Sequence, residues 1–326
     1  MDPLYLDSTT GEVGCQDDFE LIDGHRDWKG RKRMTTKVAK LMEYYDKDKA
    51  AELYRCGTYL GFVRTPDNAL KLSTANFCRQ RLCPMCQWRR SLRLAVQADA
   101  VYKELNKLGY RHLFVGLTVR NCTAAELKST VDRMYKHVTA FMRSVAFRRS
   151  FIGAYRAFEI TYNAEADTYH PHWHLILTVK PEYFTDKSLY WDKDDLIKRW
   201  RKSAHLDYDP DVDISVIRQK PGQTLTSACV EVCKYPVKSA EIKSWRVLQA
   251  IDEVLKGRRL LGWWGITAET RRALALEDVE DGDLIHTDDE AIAMENELEK
   301  VVYVWRHGLY IPLDVKELKP DDNAES

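Results

Sequence analysis

The sequence predicts an α+β fold built on a ferredoxin-like antiparallel sheet. Strands are predicted from alternating polarity and helices from three-to-four-residue periodicity. The elements follow in the order strand, helix, strand, strand, helix, strand over residues 112–121, 123–144, 153–163, 170–180, 192–205 and 211–219. This is the order of the split βαβ motif. Such a sheet has helices on one face, and we expect the chemistry on its free face.

Further elements flank this central block. Upstream, residues 29–50 predict a basic helix, "YLGFVRT" and "ALKLSTANF" a strand pair, and residues 88–106 a long helix. Downstream, residues 223–235 predict a helix. A helical stretch with a Gly/Trp break follows, and "KVVYVWRHGLYIP" predicts a final strand or hairpin. Thr123 and Glu126 have the spacing of a capping box at the start of the second helix of the chain's central block.

The charge is segregated, although the net charge is zero. Residues 1–27 carry a net charge of −7 and residues 277–326 a net charge of −12, so residues 28–276 carry +19. A basic body with acidic ends favours a nucleic-acid partner over an ordinary mixed surface. The chain shows no membrane-length apolar run and no signal-peptide pattern at its start, which predicts a cytoplasmic location.

Three histidines alternate along one predicted strand, "HPHWHLILTV". The opposite face of that strand carries Trp173, Leu175 and Leu177 and should form the core. Two imidazoles two residues apart can chelate one divalent ion, and a carboxylate commonly completes the set. We predict His172, His174 and Glu159 as metal ligands, because a hairpin brings the strand of Glu159 alongside. Asp167 and His170 are the alternatives for the third ligand.

Four of the eight cysteines cluster between residues 56 and 86. Cys83 and Cys86 form a Cys-x2-Cys knuckle, with Cys78 five residues upstream. Cys56 is the predicted fourth ligand, and another residue in its place is the alternative. This pattern favours a closed structural zinc site over a redox motif, which needs a thioredoxin-like setting. Arginines surround the knuckle and predict a zinc-braced DNA contact through Arg79, Arg81, Arg89 and Arg90.

Tyr235 and Glu231 lie one turn apart in the predicted helix 223–235. Pro236 follows directly and ends or kinks this helix. A phenol can attack phosphorus, and a neighbouring carboxylate can serve as a general base. The pair alone is common on ordinary helices, so its weight comes from the other motifs. Lys234 and Lys238 add positive charge nearby and are predicted DNA contacts.

The motifs together resemble one family. "FCRQRLCPMCQWRRS", "HLFVGLTVRN", "HPHWHLILTV" and "EVCKYPVK", in this order, are similar to the rolling-circle replication initiators of small Gram-positive plasmids. These are HUH endonucleases, named for two histidines around a bulky hydrophobic residue, here Trp173. The resemblance runs from about residue 52 to about residue 310, and it implies an RRM-like antiparallel sheet of the HUH type.

The resemblance also implies the chemistry. Tyr235 would nick one strand at the double-strand origin, leaving a 5′-phosphotyrosine and a free 3′-OH primer. Glu231 would activate water in the terminating cleavage, and Mg²⁺ or Mn²⁺ would be held by His172, His174 and Glu159. The implied partners are origin DNA with a hairpin nick site, a host helicase and a polymerase, while a homodimer is left open.

The predicted domains follow from these motifs. Residues 1–50 form an acidic N-terminus with a basic helix, and residues 51–106 form a zinc-binding, DNA-contacting segment. Residues 107–240 form an HUH catalytic domain, and residues 241–326 form a C-terminal extension with an acidic tail. Two alternatives remain: another HUH enzyme, such as a relaxase or transposase, and a non-catalytic zinc-braced DNA-binding regulator. The cysteine cluster upstream of the histidine strand favours the initiator over a relaxase.

Overall fold

The computed structural model describes residues 5–6, 13–14, 26–65, 69–218, 239–287 and 300–313. Its elements confirm an α+β protein with antiparallel sheets. The chain divides into two compact units, one of residues 1–89 and 283–326 and one of residues 90–282. The four domains expected from the sequence stay a prediction.

The first unit contains a four-stranded antiparallel sheet. Its described elements are β1 (Tyr5–Leu6), β2 (Val13–Gly14), α1 (Trp28–Met42), α2 (Lys47–Arg55), β3 (Tyr59–Arg64), β4 (Leu70–Ala75), β10 (Lys300–Arg306) and β11 (Leu309–Leu313). The larger sheet has the order β11-β10-β3-β4, and β1 pairs with β2. The predicted strand pair and the final hairpin are both present, and the hairpin extends the sheet through β3.

The basic helix predicted over residues 29–50 is two helices. The first ends at Met42, with Glu43 as its C-cap, and Asp46 caps the second, because its side chain accepts a hydrogen bond from the backbone N–H of Lys49 at 3.0 Å. Asp is a favoured N-cap residue, since its carboxylate pairs with a donor that the first turn leaves unsatisfied. A longer helix, α3 (Pro84–Lys107), follows β4, and the boundary between the two units falls after its residue Arg89.

The second unit contains a five-stranded antiparallel sheet in the order β8-β5-β7-β6-β9. Its elements after α3 are β5 (Arg111–Thr118), α4 (Ala124–Arg143), α5 (Val145–Ser150), β6 (Gly153–Asn163), β7 (Thr168–Val179), α6 (Lys193–Ala204), β8 (Val212–Val216), α7 (Trp245–Leu255), β9 (Leu261–Gly265) and α8 (Ile266–Ala273). The order from β5 to β8 is the predicted one, and the capping box of Thr123 and Glu126 is present. The helix predicted over residues 223–235 lies outside the described residues.

The predicted Gly/Trp break is itself a strand, β9, which pairs with β6 at the edge of the sheet. Gly265 ends β9 with φ +63°, and a Cβ there would lie 2.2 Å from the carbonyl oxygen of Ile152. Only glycine fits this close backbone approach. Gly265 therefore allows α8 to begin directly after β9.

The core of the second unit lies on the helical face of its sheet. Trp173, Leu175 and Leu177 of β7 are fully buried, as the alternation predicted. The Trp173 ring packs edge-on against Tyr135 of α4, with centroids 4.9 Å apart, and against Phe158 of β6 at 4.8 Å. Aromatic pairs in these orientations add to the stabilisation from buried area.

The opposite face, which carries His170, His172 and His174, is called the histidine face below. It is free only in part. Tyr102 of α3 packs against His112 at 4.7 Å and Trp263 at 6.2 Å between ring centroids. The neighbouring Ile176 and Thr178 of β7 are fully buried as a result. Helix α3 therefore covers one end of the face, and the histidine ligands lie towards the other.

The buried His112 should make the free energy of unfolding depend on pH. Burial, with a smaller contribution from Arg111, lowers the pKa of His112 to about 4. The unfolded chain takes up this proton near pH 6.5 and the folded chain does not, so stability falls as the pH drops from 6.5 towards 4. At pH 5 we expect a loss of about 2 kcal/mol in unfolding free energy relative to pH 7.

Urea unfolding of the wild type and of His112→Gln at both pH values measures this loss. Gln retains a hydrogen-bonding group for Thr178, whose hydroxyl lies 3.2 Å from Nδ1 of His112. The variant should lose about 2 kcal/mol less than the wild type between pH 7 and pH 5. An equal loss in the two proteins would show that His112 does not titrate in this way.

Candidate functional site

The β6–β7 hairpin brings the three predicted metal ligands together. In its antiparallel register Glu159 lies directly opposite His172, and Ala157 lies opposite His174. Residues directly opposite each other in a sheet point to the same face, so all three ligand side chains share the histidine face. Because Ala157 is small, it leaves room for Glu159 to reach both imidazoles.

The ligand atoms converge closely. Oε2 of Glu159 lies 3.3 Å from Nε2 of His172 and 3.1 Å from Nε2 of His174, and the two nitrogens lie 3.1 Å apart. Glu159 is 6% exposed and His172 is 9% exposed. The Phe114 ring stacks on His174 with centroids 5.6 Å apart and restricts its orientation. We call this group of three side chains the triad.

The electrostatics of the triad favour a cation. Burial raises the pKa of Glu159, but hydrogen bonds and charge from His172 and His174 outweigh it and hold the pKa well below its usual range. The other ring nitrogen of His172, Nδ1, lies 3.0 Å from the carbonyl oxygen of His170. A carbonyl only accepts, so Nδ1 donates its proton to this bond, and the neutral tautomer of His172 would present the lone pair of Nε2 to a bound cation.

The donor set fits one divalent cation. Two imidazoles and one carboxylate form a facial set that leaves further coordination positions open. Adjacent ligands of an octahedral Mg²⁺ at about 2.1 Å lie about 3 Å apart, and those of a tetrahedral Zn²⁺ about 3.3 Å apart. The triad is therefore a candidate metal group, and its spacing alone suits either ion.

The two alternative third ligands lie elsewhere. Asp167 is in the turn between β6 and β7, where it accepts a hydrogen bond from the Tyr162 hydroxyl at 2.7 Å. Nδ1 of His170 lies 2.7 Å from Oδ1 of Asn121. Among the described residues, the group of possible ligands at this site contains neither of them.

The four predicted cysteines also converge, in the first unit. The sulfur of Cys56 lies 3.5 Å from that of Cys83 and 3.6 Å from that of Cys86, and Cys78 lies 3.8 Å from Cys86. A zinc ion bound by four sulfurs at about 2.3 Å holds them about 3.8 Å apart. Cys56 is therefore a full member of this candidate metal group, which is called the tetracysteine cluster below.

The thiols of the tetracysteine cluster differ in their pKa. Burial raises the pKa of Cys83, but hydrogen bonds from the other three cysteines outweigh it and hold the pKa well below its usual range. Hydrogen bonding with Cys78 and Cys83, together with burial, raises the pKa of Cys56 well above its usual range. Hydrogen bonding with the other three thiols likewise raises the pKa of Cys86. Bound zinc removes this obstacle because it takes thiolate ligands and supplies two positive charges.

Lys32 of α1 is a buried residue beside this cluster that no sequence pattern indicated. Its ammonium donates to the carbonyls of Tyr54 and Cys56, both at 2.7 Å, at the C-terminal end of α2. Burial lowers the pKa of Lys32, and the nearby cysteines act in the opposite direction. Lys32 thus anchors the turn that carries Cys56. In sequence it is indistinguishable from the surface lysines of the same basic helix.

Two of the arginines predicted to contact DNA, Arg89 and Arg90, are interior residues, and their contact with DNA stays a prediction. Arg89 is 1% exposed and donates to the carbonyls of Leu284 and Ile285, and Arg90 is 4% exposed and donates to that of Glu280. Backbone carbonyls accept hydrogen bonds from both guanidinium groups, so the positive charge of these residues in the motif did not indicate exposure. Arg79 is exposed and Arg81 is half-buried.

Tyr235, Glu231, Lys234 and Lys238 lie outside the described residues. Their roles stay predictions from the sequence. None of the helices that the structure describes combines the length and apolar character needed to cross a membrane. The fold and the two clusters define an α+β protein with two candidate metal groups, one of four cysteines and one of two histidines and a glutamate.

The chain matches known replication proteins over most of its length. A model of the replication protein family matches residues 69–310. A Rep protein of Streptococcus pneumoniae is 34% identical over 287 residues, covering 86% of this chain and 89% of the relative. One of Bacillus amyloliquefaciens is 34% identical over 334 residues, covering 93% and 98%. A replication protein of Staphylococcus aureus is 33% identical over 221 residues, covering 64% and 94%.

The chain therefore belongs to the replication protein family. The predicted assignment of this chain as a plasmid Rep replication initiator is confirmed. No solved structure matches the chain.

Proposed function

We propose that this initiator is a rolling-circle nickase and strand transferase with an HUH-type catalytic sheet. The observation that carries the proposal is the triad, in which two histidines around Trp173 meet a carboxylate within 3.3 Å. The site lies on the face of an antiparallel sheet, in a chain of the replication protein family. Residues 107–240 would form the catalytic domain and residues 51–106 the zinc-braced DNA-contacting segment.

The proposed reaction is a transesterification at one strand of the double-strand origin, at a single-stranded site exposed in a hairpin. The phenolic oxygen of Tyr235 forms a bond to phosphorus, and the bond from phosphorus to the 3′ oxygen breaks. The phenol loses its proton to a base, and the departing oxygen gains one to become the 3′-OH primer. Glu231 would later direct water to the terminating cleavage, which precedes strand joining.

His172, His174 and Glu159 would hold Mg²⁺ or Mn²⁺ for this reaction. When bound, the cation polarises the scissile phosphate and stabilises the charge that develops in the transition state. His172 contributes through a fixed tautomer, and Phe114 restricts the ring of His174. The tetracysteine cluster would hold a structural zinc, with Arg79, Arg81, Lys234 and Lys238 near DNA. The helicase, the polymerase and a second copy of the chain are proposed partners.

The test is nicking of a supercoiled plasmid that carries the protein's own origin. We expect Mn²⁺- or Mg²⁺-dependent conversion to the open circle and a covalent protein–DNA adduct on the 5′ end of the nick. Peptide mapping of the adduct should identify Tyr235, and Tyr235→Phe should form no adduct while retaining origin binding. A plasmid that stays supercoiled with the wild type and either cation would refute the proposal, and an adduct on another residue would refute the assigned nucleophile.

A further inference from the structure

We infer that Arg120, held over the ring of Tyr208, binds a phosphate of the single-stranded DNA that flanks the nick site. The inference rests on the proposed function, because it assigns the triad to the scissile phosphate. It adds a DNA contact that neither the sequence motifs nor the family relationship assigns. The ligand class is a phosphodiester group of single-stranded DNA.

Arg120 lies in a bulge beside the triad. Thr118 of β5 pairs with His172, and Cys122 forms a backbone bridge with Tyr169. Three residues, 119–121, lie between Thr118 and Cys122. Only two, His170 and Pro171, lie between their partners Tyr169 and His172. An extra residue in one strand redirects the side chains around it, and such bulges are frequent next to active sites. Arg120 is thus two residues, about 7 Å along a strand, from the residue opposite His172.

Tyr208 orients the guanidinium group. The carbon at the centre of the Arg120 guanidinium lies 3.8 Å from the centroid of the Tyr208 ring. The Tyr208 hydroxyl also accepts a hydrogen bond from the Arg120 backbone N–H at 2.8 Å. These two contacts to one side chain hold both the backbone and the guanidinium group of Arg120 in place. A guanidinium that is already ordered loses less entropy when it binds a phosphate through two N–H groups.

The charge of Arg120 is not neutralised within the part of the chain that the structure describes. No carboxylate there forms an ion pair with Arg120, which is exposed. Two acids that follow Tyr208 are paired elsewhere, Asp209 with Arg201 at 2.9 Å and Asp211 with Lys193 at 3.9 Å. An exposed, oriented guanidinium without a protein carboxylate is suited to an anion supplied by the substrate.

The position of Arg120 selects a DNA phosphate over a free anion. The triad is placed to hold one phosphate of the strand, and the next phosphates follow at the spacing of the sugar–phosphate chain. Because Arg120 follows the residue opposite His172 by two positions, about 7 Å along the strand, we assign it to a neighbouring phosphate of the same DNA strand. Bases of single strands also stack on guanidinium planes, so the outer face of the Arg120–Tyr208 pair can receive a base.

The experiment measures the binding of the full-length protein to a fluorescein-labelled oligothymidylate of twenty nucleotides. Fluorescence anisotropy gives the Kd, and no Mn²⁺ or Mg²⁺ is added. Arg120→Ala should weaken binding roughly tenfold at low salt. It should also reduce the slope of log Kd against log salt by about 0.7, the value of one phosphate contact on a single strand. Tyr208→Phe keeps the ring but loses the hydroxyl that accepts the Arg120 N–H, so it should weaken binding less than Tyr208→Leu, which should weaken it about threefold.

Arg111→Ala is the matched control, because it removes the same exposed charge at the other end of β5. It should leave both the affinity and the salt slope unchanged. Wild-type affinity and slope in Arg120→Ala would overturn the inference, and so would an equal loss in Arg111→Ala, which would indicate unspecific charge. Since the assay needs neither cleavage nor an added cation, its outcome is separate from that of the nicking test.

Discussion

Replacement of His172 and His174 by alanine together is expected to abolish Mn²⁺ binding and to lower origin nicking by roughly 10³-fold or more. The double variant leaves Glu159 as the remaining ligand of the triad, and one carboxylate binds Mn²⁺ weakly in water. Loss of the cation removes several kcal/mol of charge stabilisation at the phosphate. The sheet should remain folded, because the Trp173 face of β7 supplies its packing and is unchanged.

Glu159→Gln tests whether metal binding needs the negative charge of Glu159 or only a side chain of its size. Gln has nearly the same volume as Glu but lacks the negative charge that His172 and His174 stabilise. We expect this variant to fold normally and to bind Mn²⁺ much more weakly than the wild type, because carboxylates are preferred ligands of this ion. Calorimetric titration with Mn²⁺ and nicking of supercoiled origin plasmid are the two measurements for both variants.

His170→Ala is the matched control for metal affinity. His170 lies on the same strand and face, but its Nδ1 pairs with Asn121 and not with the triad. This variant should keep the Mn²⁺ affinity of the wild type. If it loses affinity as the double variant does, His170 is a ligand and the third position has been assigned wrongly. If the double variant still binds Mn²⁺ with wild-type affinity, the triad is not the catalytic metal site.

Features that depend on local periodicity could be predicted from the sequence. Alternation along β7 separated the buried Trp173 face from the histidine face. The hairpin between β6 and β7 needs only a short polar turn, so the proximity of Glu159 to His172 followed from two neighbouring strands. The cysteine spacing likewise predicted that Cys78, Cys83 and Cys86 would converge, whereas the sequence left the fourth ligand open and the fold brings Cys56 to that position.

Features that depend on distant contacts could not be predicted in this way. Arg89 is buried by carbonyls almost two hundred residues further along the chain. Lys32 has the composition of a surface residue, and only the fold shows that it reaches the end of α2. The stack of Arg120 on Tyr208 joins a bulge after β5 to the segment after α6. No periodic pattern marks any of these three side chains.

Removal of the metal from the tetracysteine cluster is expected to unfold the first unit. A structural zinc site contributes about 10–16 kcal/mol of binding free energy in small zinc domains, which is comparable to or larger than the ~5–15 kcal/mol stability of a whole domain. Cys83→Ser replaces one of four thiolates at a fully buried position. We expect zinc content to fall from about one equivalent to a small fraction, with early proteolysis in residues 26–89.

Cys122→Ser is the matched control, because Cys122 is also buried but lies in the second unit, outside the cluster. It should retain one zinc and the wild-type cleavage pattern. Atomic absorption and limited proteolysis followed by peptide mapping measure the two effects. If Cys83→Ser kept its zinc and resisted protease like the wild type, the cluster would not be a structural metal site. If purified wild-type protein were folded without zinc, the proximity of the four sulfurs would need a different explanation, such as a redox role for Cys83 and Cys86.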